Sequence, residues 1–272
     1  MLKARIITAL GLLAVILPVL YARSYVAFAG LALAFFVAAM WECQRLFKKP
    51  LPWLMAGIWG AALAYLLFNL DKFNTLLLFA LVSAFWVLRL LPVLYKGLPE
   101  IKSFANGMLS TLYGVNIFAC FVAFAVLFVR SPWYLLSVMA IVWVADIGAY
   151  FSGKAFGKHK LAPSISPGKS WEGALGGWLA VLVLAYASSH LSFCADTFAV
   201  HLMARKGMLL TALLLTLLVA ISVTGDLFES ALKRRVGMKD SSQLLPGHGG
   251  VLDRIDALIP VLPAAALLDM WQ

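Results

Sequence analysis

The chain has 272 residues, of which 63% are hydrophobic and only 12% are charged, and its formal net charge is +10. No soluble domain of this size carries so much apolar material, so we predict an all-α integral membrane protein. The positive charge does not indicate nucleic-acid binding, because the enrichment of Lys and Arg in cytoplasmic connections explains much of it. The three cysteines lack CxxC spacing, so they support neither a disulfide framework nor a zinc site.

Apolar runs long enough to span a bilayer recur along the whole chain. A spanning helix requires about 20 mostly apolar residues. The runs predict nine membrane helices, near residues 6–22, 25–42, 52–70, 74–94, 107–129, 132–153, 172–189, 207–225 and 257–271. The last run is the weakest, because it is short and contains Pro260 and Pro263. We expect one membrane domain, in which residues 1–105 supply four spans and residues 106–272 carry the chemistry.

The distribution of Lys and Arg predicts how these helices are oriented. With a cytoplasmic N-terminus, 16 of the 22 Lys and Arg residues lie on the cytoplasmic side, five lie on the opposite side, and Arg89 lies within the fourth span. Cytoplasmic connections are enriched in these residues. We therefore expect a cytoplasmic N-terminus, a C-terminus on the opposite side, and cytoplasmic segments 154–171 and 226–256 in a bacterial-type inner membrane.

Asp146 is an acidic residue within the sixth predicted span. A carboxylate at that depth costs roughly a few kcal/mol unless it is paired or faces water. Asp146 is therefore either part of an intramembrane polar site or the structural partner of a basic side chain.

The segment SPGKSWEG, residues 166–173, opens the seventh span. Its GKS triplet does not predict a P-loop, because Pro163 replaces the required glycine and no strand is expected before the helix. Ser170 is instead predicted to cap the helix, with Glu172 complementing the helix dipole. With Lys169 beside it, the N-terminus of this helix either binds an anion or is simply capped by Ser170.

Carboxylates flank the cytoplasmic segment 226–256 at both ends. Four polar residues would share one face if the eighth helix continues past the membrane: Asp226, Glu229, Ser230 and Lys233. Asp253 and Asp256 are likewise spaced i, i+3. Hard oxygen ligands of this kind suit Mg²⁺, which completes its coordination with water and substrate phosphate. Salt bridges to Lys233 and Arg254 are the alternative for each pair taken alone.

Residues 246–250 read PGHGG, which predicts a tight turn. Gly249 and Gly250 would allow the backbone to approach a ligand closely. His248 either assists a phosphate or forms a structural hydrogen bond.

The run SALKRRVGMKDSSQLLPGHGGVLDRID, residues 230–256, resembles the signature of the phosphatidate cytidylyltransferases, also called CDP-diacylglycerol synthases. All twelve positions of that pattern are filled: Ser230, Lys233, Arg234, Lys239, Asp240, Pro246, His248, Gly249, Gly250, Asp253, Arg254 and Asp256. SPGKSWEG is similar to the upstream motif of the same family. The resemblance implies an enzyme that joins CTP and phosphatidic acid at the cytoplasmic membrane face, giving CDP-diacylglycerol and pyrophosphate.

The resemblance also implies roles for individual residues. It implies Mg²⁺, with K⁺ as a companion, at Asp226, Asp253 and Asp256. The expected catalytic residues are Lys239, Asp240, His248, Asp253, Arg254 and Asp256. The expected substrate-binding residues are Ser166, Lys169, Ser170, Glu172, Lys233, Arg234, Gly249 and Gly250. The implied partners besides CTP and phosphatidic acid are the lipid bilayer and a second copy of the chain in a homodimer.

Two other functions have to be weighed against cytidylyl transfer. A polyprenol kinase would also use CTP, but it would transfer the γ-phosphoryl group to an alcohol and leave CDP. A transporter would place its charges near the membrane midplane between inverted repeats, and the sequence gives evidence of neither.

Overall fold

The computed structural model describes residues 2–271 of the chain, with the side chains of residue 8 and of residues 10–271. Within these residues helices dominate: α1 (Leu2–Ala22), α2 (Tyr25–Leu46), α3 (Pro52–Leu67), α4 (Thr75–Phe85), α5 (Leu91–Lys96), α6 (Phe104–Arg130), α7 (Pro132–Phe156), α8 (Trp171–Ser188), α9 (Phe198–Lys206), α10 (Met208–Arg235), α11 (Leu252–Ile255) and α12 (Leu258–Met270). A π-helical turn, Trp86–Leu90, joins α4 to α5 without a break. Pro92, which has no N–H to donate, accounts for the altered hydrogen bonding there.

Six of the described helices are long and apolar enough to cross a membrane: Tyr25–Leu46, Thr75–Lys96, Phe104–Arg130, Pro132–Phe156, Trp171–Ser188 and Met208–Arg235. Three shorter apolar helices are Leu10–Ala22, Pro52–Leu67 and Leu258–Met270. These helices coincide with the apolar runs of the sequence. The architecture is therefore that of a largely helical membrane protein.

α12 is a short apolar helix that occupies the centre of the bundle. Its 13 residues extend only about 20 Å, which is less than the roughly 30 Å hydrocarbon core of a bilayer. It packs against α4, α6, α7 and α10, and most of its side chains are buried. Because protein surrounds this helix, its length and its prolines need not satisfy the demands of a lipid-facing span.

The connections that follow α2, α5, α7 and α10 meet at one end of the bundle. Arg235 donates hydrogen bonds to the backbone carbonyls of Pro99 (3.1 Å) and Leu46 (3.4 Å). Arg234 donates from Nε to the carbonyl of Ile165 at 3.3 Å. The charged segments predicted to be cytoplasmic therefore lie together at this end.

The opposite end is held together by a polar cluster around Asp269, near the end of α12. The Asp269 carboxylate forms an ion pair with Arg130 and accepts a hydrogen bond from the Tyr134 hydroxyl at 2.8 Å. Arg205 donates to the Asp269 backbone carbonyl at 3.2 Å. This cluster joins the ends of α6, α7, α9 and α12.

The largely helical chain departs from the predicted all-α class only between α7 and α8, within the described residues. An antiparallel hairpin forms there from β1 (Lys160–Ala162) and β2 (Ser166–Ser170), with Lys160 opposite Ser170 and Ala162 opposite Ser166. Prolines in and before β2 cannot donate to a helix, and they are tolerated at the edge of a two-stranded sheet. A strand does precede α8, contrary to expectation. The GKS triplet nevertheless lies inside or at the end of that strand rather than in a phosphate-binding loop.

Glycines let α7 and α8 pack in close contact beneath this hairpin. A Cβ atom on Gly177 would lie 3.1 Å from the carbonyl carbon of Ala145 and 3.2 Å from the backbone nitrogen of Ala149. A Cβ atom on Gly173 would lie 2.9 Å from the Ala149 carbonyl oxygen. Small residues at such an interface allow two helix backbones to approach. The packing fixes the start of α8 and, with it, the position of β2.

Candidate active site

The carboxylates and lysines of the signature meet where α10, β2 and α11 come together. α10 does continue to Arg235, which confirms the predicted extension and puts Asp226, Glu229 and Lys233 on one face. Lys233 Nζ lies 2.6 Å from Asp253 Oδ1 and also forms an ion pair with Glu229. Lys233 therefore links α10 to α11, and the salt bridge weighed as an alternative to a metal site is present.

β2 brings Lys169 to the same face of α10. Lys169 Nζ lies 2.6 Å from Asp226 Oδ2, and Ser230 Oγ donates to Asp226 Oδ1 at 3.2 Å. Asp146 of α7 is exposed, and its charge interacts with both Asp226 and Lys169. Asp146 thus belongs to the charged cluster rather than to an isolated intramembrane pair.

Gly225 places Asp226 beside Asp256. A Cβ atom on Gly225 would lie 2.5 Å from the Asp256 carbonyl oxygen and 3.0 Å from Pro260 Cδ. Only a glycine lets α10 approach the start of α12 this closely. The consequence is that carboxyl groups from two helices become close neighbours.

The pKa values of the two signature aspartates are shifted in opposite directions. Burial, reinforced by the nearby charge of Asp226, raises the pKa of Asp256 to about 8. Burial would also raise the pKa of Asp253, but hydrogen bonds from Lys233 and from the Gly250 backbone hold it below its ordinary value. Asp256 therefore lies in a locally negative environment, whereas the negative charge of Asp253 is offset by its hydrogen-bond donors.

The donor set of this cluster fits a hard divalent cation. The carboxyl groups that interact with the ammonium groups of Lys169 and Lys233 are Asp146, Asp226, Glu229, Asp253 and Asp256. Glu229 Oε1 is buried and has no hydrogen-bond partner in the described part of the chain. The carboxyl groups outnumber the two lysines that neutralise them, and this excess of oxygen ligands suits Mg²⁺. Among residues 2–271, however, no three His, Cys, Asp or Glu side chains are already arranged to hold a metal ion.

Asp253 organises the loop that precedes it. Its Oδ2 accepts hydrogen bonds from the backbone of Gly250 (2.7 Å) and from the backbone and hydroxyl of Ser241 (both 2.9 Å). Gly249 has φ +85°, and a Cβ atom there would lie 2.7 Å from Asp253 Oδ2. The glycines predicted to approach a ligand therefore approach the protein's own carboxylate.

Glu42, near the end of α2, is a residue of this region that the sequence analysis missed. It is completely buried and accepts hydrogen bonds from the backbones of Val251 (3.0 Å) and Leu252 (2.6 Å). It also accepts from the hydroxyls of Ser242 (2.5 Å) and Ser241 (3.3 Å). The available signal was a carboxyl group inside the last turns of an apolar span.

Several predicted site residues lie at the surface around the cluster, with exposed side chains: Arg234, Lys239, Asp240 and Arg254. Lys239 and Asp240 line a cavity of about 420 Å³ together with Arg45 of α2. His248 is half-buried, and its Nδ1 has no hydrogen-bond partner within the described residues. Exposed cations at the rim of an acidic cluster are suited to contacting phosphate groups.

The upstream motif shapes the entrance to α8. Ser170 is confirmed as the helix cap, because its hydroxyl accepts from the Gly173 backbone at 3.1 Å. Glu172 accepts from the backbones of Lys158 and His159 (both 3.2 Å) and pairs with the His159 ring at 2.6 Å. Glu172 therefore ties the end of α7 to the hairpin. Ser166 is half-buried at the start of β2.

Comparisons of the sequence with known proteins identify its family. The model of the Cytidylyltransferase family matches residues 3–270. The chain is 39% identical over 288 residues to the phosphatidate cytidylyltransferase of Haemophilus influenzae, which covers 97% of this chain and 96% of the relative. It is 42% identical over 284 residues to the phosphatidate cytidylyltransferase of Pseudomonas aeruginosa, covering 100% of this chain and 97% of the relative. The chain therefore belongs to the cytidylyltransferase family.

Proposed function

We propose that the chain is a phosphatidate cytidylyltransferase, a nucleotidyltransferase that transfers CMP from CTP to phosphatidic acid in phospholipid biosynthesis. The observation that carries the proposal is the cluster of carboxylates and lysines that α7, β2, α10 and the signature form at one end of an apolar helix bundle. A polar nucleotide reaches that end from water, while a lipid reaches it from the bilayer.

In this proposal the charged end of the bundle faces the cytoplasm of a bacterial inner membrane. The nine apolar helices cross the membrane, so that the N-terminus is cytoplasmic and the C-terminus lies on the opposite side. The excess of Lys and Arg at the charged end supports this orientation. The apolar runs further support a single membrane domain, with residues 1–105 as its first part. The resemblance supports a homodimer.

The reaction requires charge neutralisation more than proton transfer. A phosphate oxygen of phosphatidic acid attacks the α-phosphorus of CTP, and the bond from that phosphorus to the bridging oxygen of the β-phosphate breaks. Pyrophosphate leaves with the electron pair. The attacking oxygen is already anionic at neutral pH, so a general base is less necessary. Lys169, Lys239 and Arg254 are proposed to contact the phosphates and to offset their negative charge.

Asp226 and Asp253 are proposed as the principal carboxylates that hold Mg²⁺, with Asp256 close by and K⁺ as a companion. Bound Mg²⁺ would neutralise phosphate charge and orient the α-phosphate for in-line attack. Asp253 Oδ1 also accepts from Lys233 in the structure, so Lys233 would either share that carboxylate with Mg²⁺ or be released from it. A lysine released in this way is available to a substrate phosphate.

The proposal is tested by identifying the products of purified protein in detergent with CTP, phosphatidic acid and Mg²⁺. Mass spectrometry should detect CDP-diacylglycerol in the lipid phase, together with one pyrophosphate released per lipid formed. Formation of CDP with a phosphorylated alcohol, when polyprenol is offered, would establish a kinase instead. Absence of any turnover would overturn the proposal.

A further inference from the structure

Glu42 joins a transmembrane helix of the first half of the chain to the signature loop of the second half. It lies on α2, and its four hydrogen-bond partners lie 199 to 210 residues further along the chain. The side chain is completely buried. Burying a carboxyl group is strongly unfavourable unless it is hydrogen-bonded. The four donors are therefore required for Glu42 to be where it is.

The partners of Glu42 lie in two separate parts of one loop. Ser241 and Ser242 lie in the first half of the loop between α10 and α11, and Val251 and Leu252 lie where that loop meets α11. Each Glu42 oxygen accepts from both parts: Oε1 from Ser242 and Val251, and Oε2 from Ser241 and Leu252. One side chain thus fixes the separation of the two parts.

Two of the four partners are backbone N–H groups, which can only donate, and each meets a different Glu42 oxygen. This matches an ionised carboxylate, which is an acceptor-only group. Glutamine in the same place would turn an NH₂ group toward one of these two backbone N–H groups, where neither can accept. The loop also packs tightly around Glu42, because a Cβ atom on Gly250 would collide with Glu42 and with Ser241 Oγ. The requirement is therefore for glutamate rather than for any polar side chain.

We propose that Glu42 is a positioning residue for the transfer reaction: it holds the loop 239–252 so that Lys239, Asp240 and Asp253 keep their places around the substrates. This inference rests on the proposed function and deepens it. Asp253 shares the Ser241 hydroxyl with Glu42, so displacement of the loop moves the Asp253 carboxylate as well. The loop would then no longer hold Asp253 in a fixed position relative to the carboxylates of α10.

The experiment compares Glu42→Gln with wild-type full-length protein in detergent, using two readouts. Limited trypsin digestion measures cleavage after Lys239, in the loop, and after Lys158, an exposed lysine outside it. Kinetics measures kcat and KM with CTP, phosphatidic acid and Mg²⁺. We expect cleavage after Lys239 to accelerate about fivefold or more with no change after Lys158, and kcat to fall about tenfold or more with KM for phosphatidic acid unchanged.

Two further variants keep the test decisive. Gln44→Met alters another buried polar side chain of α2, whose partner is Ser110, and it should leave both cleavage rates and kcat at wild-type values. Ser242→Ala removes one of the four hydrogen bonds and should give a smaller change of the same kind. It replaces Glu42→Gln if that variant does not fold.

Three results would overturn the inference: unchanged cleavage after Lys239, unchanged kcat in a variant whose loop is cleaved faster, or equal acceleration at Lys158 and Lys239. The last result would show general loosening of the protein. Failure of the wild-type protein to form CDP-diacylglycerol would instead overturn the proposed function. The rates of cleavage after Lys239 would still decide whether Glu42 holds the loop.

Discussion

Gly249 combines two demands that only glycine meets together. Its backbone is left-handed, with φ +85°, and a side chain there would press on Asp253. Left-handed backbone costs a non-glycine residue about 1–2 kcal/mol, while displacement of Asp253 would disturb the charged cluster. Gly249 therefore allows the loop to pack directly against the Asp253 carboxylate.

Gly249→Ala is therefore expected to lower kcat by roughly tenfold or more, because both the loop and Asp253 must shift. The matched control is Gly97→Ala: Gly97 has a similar φ of +92°, but nothing lies within 4 Å of its added Cβ. Steady-state kinetics on both variants separates the collision from the backbone strain. Equal losses in the two variants would contradict the contact with Asp253.

Asp253→Asn removes a charge from the cluster and one acceptor from the loop. We expect activity at saturating Mg²⁺ to fall by about a hundredfold or more, since charge stabilisation of this kind is worth roughly 10²–10³ in rate. Size-exclusion chromatography in detergent should still show folded protein. Asp71→Asn, at an exposed position in the connection between α3 and α4, is the control. Normal turnover of Asp253→Asn would refute its place in the active site.

At the scale of single elements, periodicity predicted some of the site and missed the rest. The face shared by Asp226, Glu229 and Lys233 follows from spacing within one helix, and α10 confirms it. The hairpin that carries Lys169 was missed, because strands of three and five residues are too short for an alternating pattern to be seen. Glu42 was missed because its partners lie about 200 residues away, and no local pattern encodes such a contact.

The α7–α8 pair positions Lys169 through glycine packing, and Gly177→Ala tests this. The added methyl group would meet the backbone of α7 at Ala145 and Ala149, so the helices must separate. We expect a loss of about 1–3 kcal/mol in stability, as for overpacked cores, measured as a lower midpoint of thermal unfolding in detergent. Gly57→Ala, in α3, meets nothing within 4 Å and should leave the midpoint unchanged. A Gly177→Ala midpoint equal to wild type would contradict the close packing.

At the scale of the whole molecule, the apolar bundle separates the end that carries the candidate active site from the end that carries the Asp269 cluster. Composition sufficed to predict apolar helices at the right places, because membrane spans require long apolar runs. Composition could not predict that α12 lies in the centre, since burial by protein and burial by lipid demand the same apolar residues. The central position of α12 depends on long-range packing against α6, α4 and α10.

The proposed orientation is tested by labelling single cysteines with a membrane-impermeant maleimide in spheroplasts. The background variant is Cys194→Ser, because Cys43 and Cys120 are buried. Lys72→Cys, between α3 and α4, should react in sealed spheroplasts, whereas Lys158→Cys, between α7 and β1, should react only after lysis. Both positions are exposed. The reverse pattern would place the charged end outside the cytoplasm.

The most direct test of the central claim follows the α- and γ-phosphates of CTP, labelled with two isotopes, in wild-type protein and in Asp226→Asn. With wild-type protein, the α-label should enter the lipid phase and the γ-label should remain in water as pyrophosphate. Asp226→Asn should abolish nearly all of that transfer, because it removes the carboxylate that Lys169 contacts and that is proposed to hold Mg²⁺. Wild-type transfer by Asp226→Asn, or the γ-label in the lipid phase, would contradict the account.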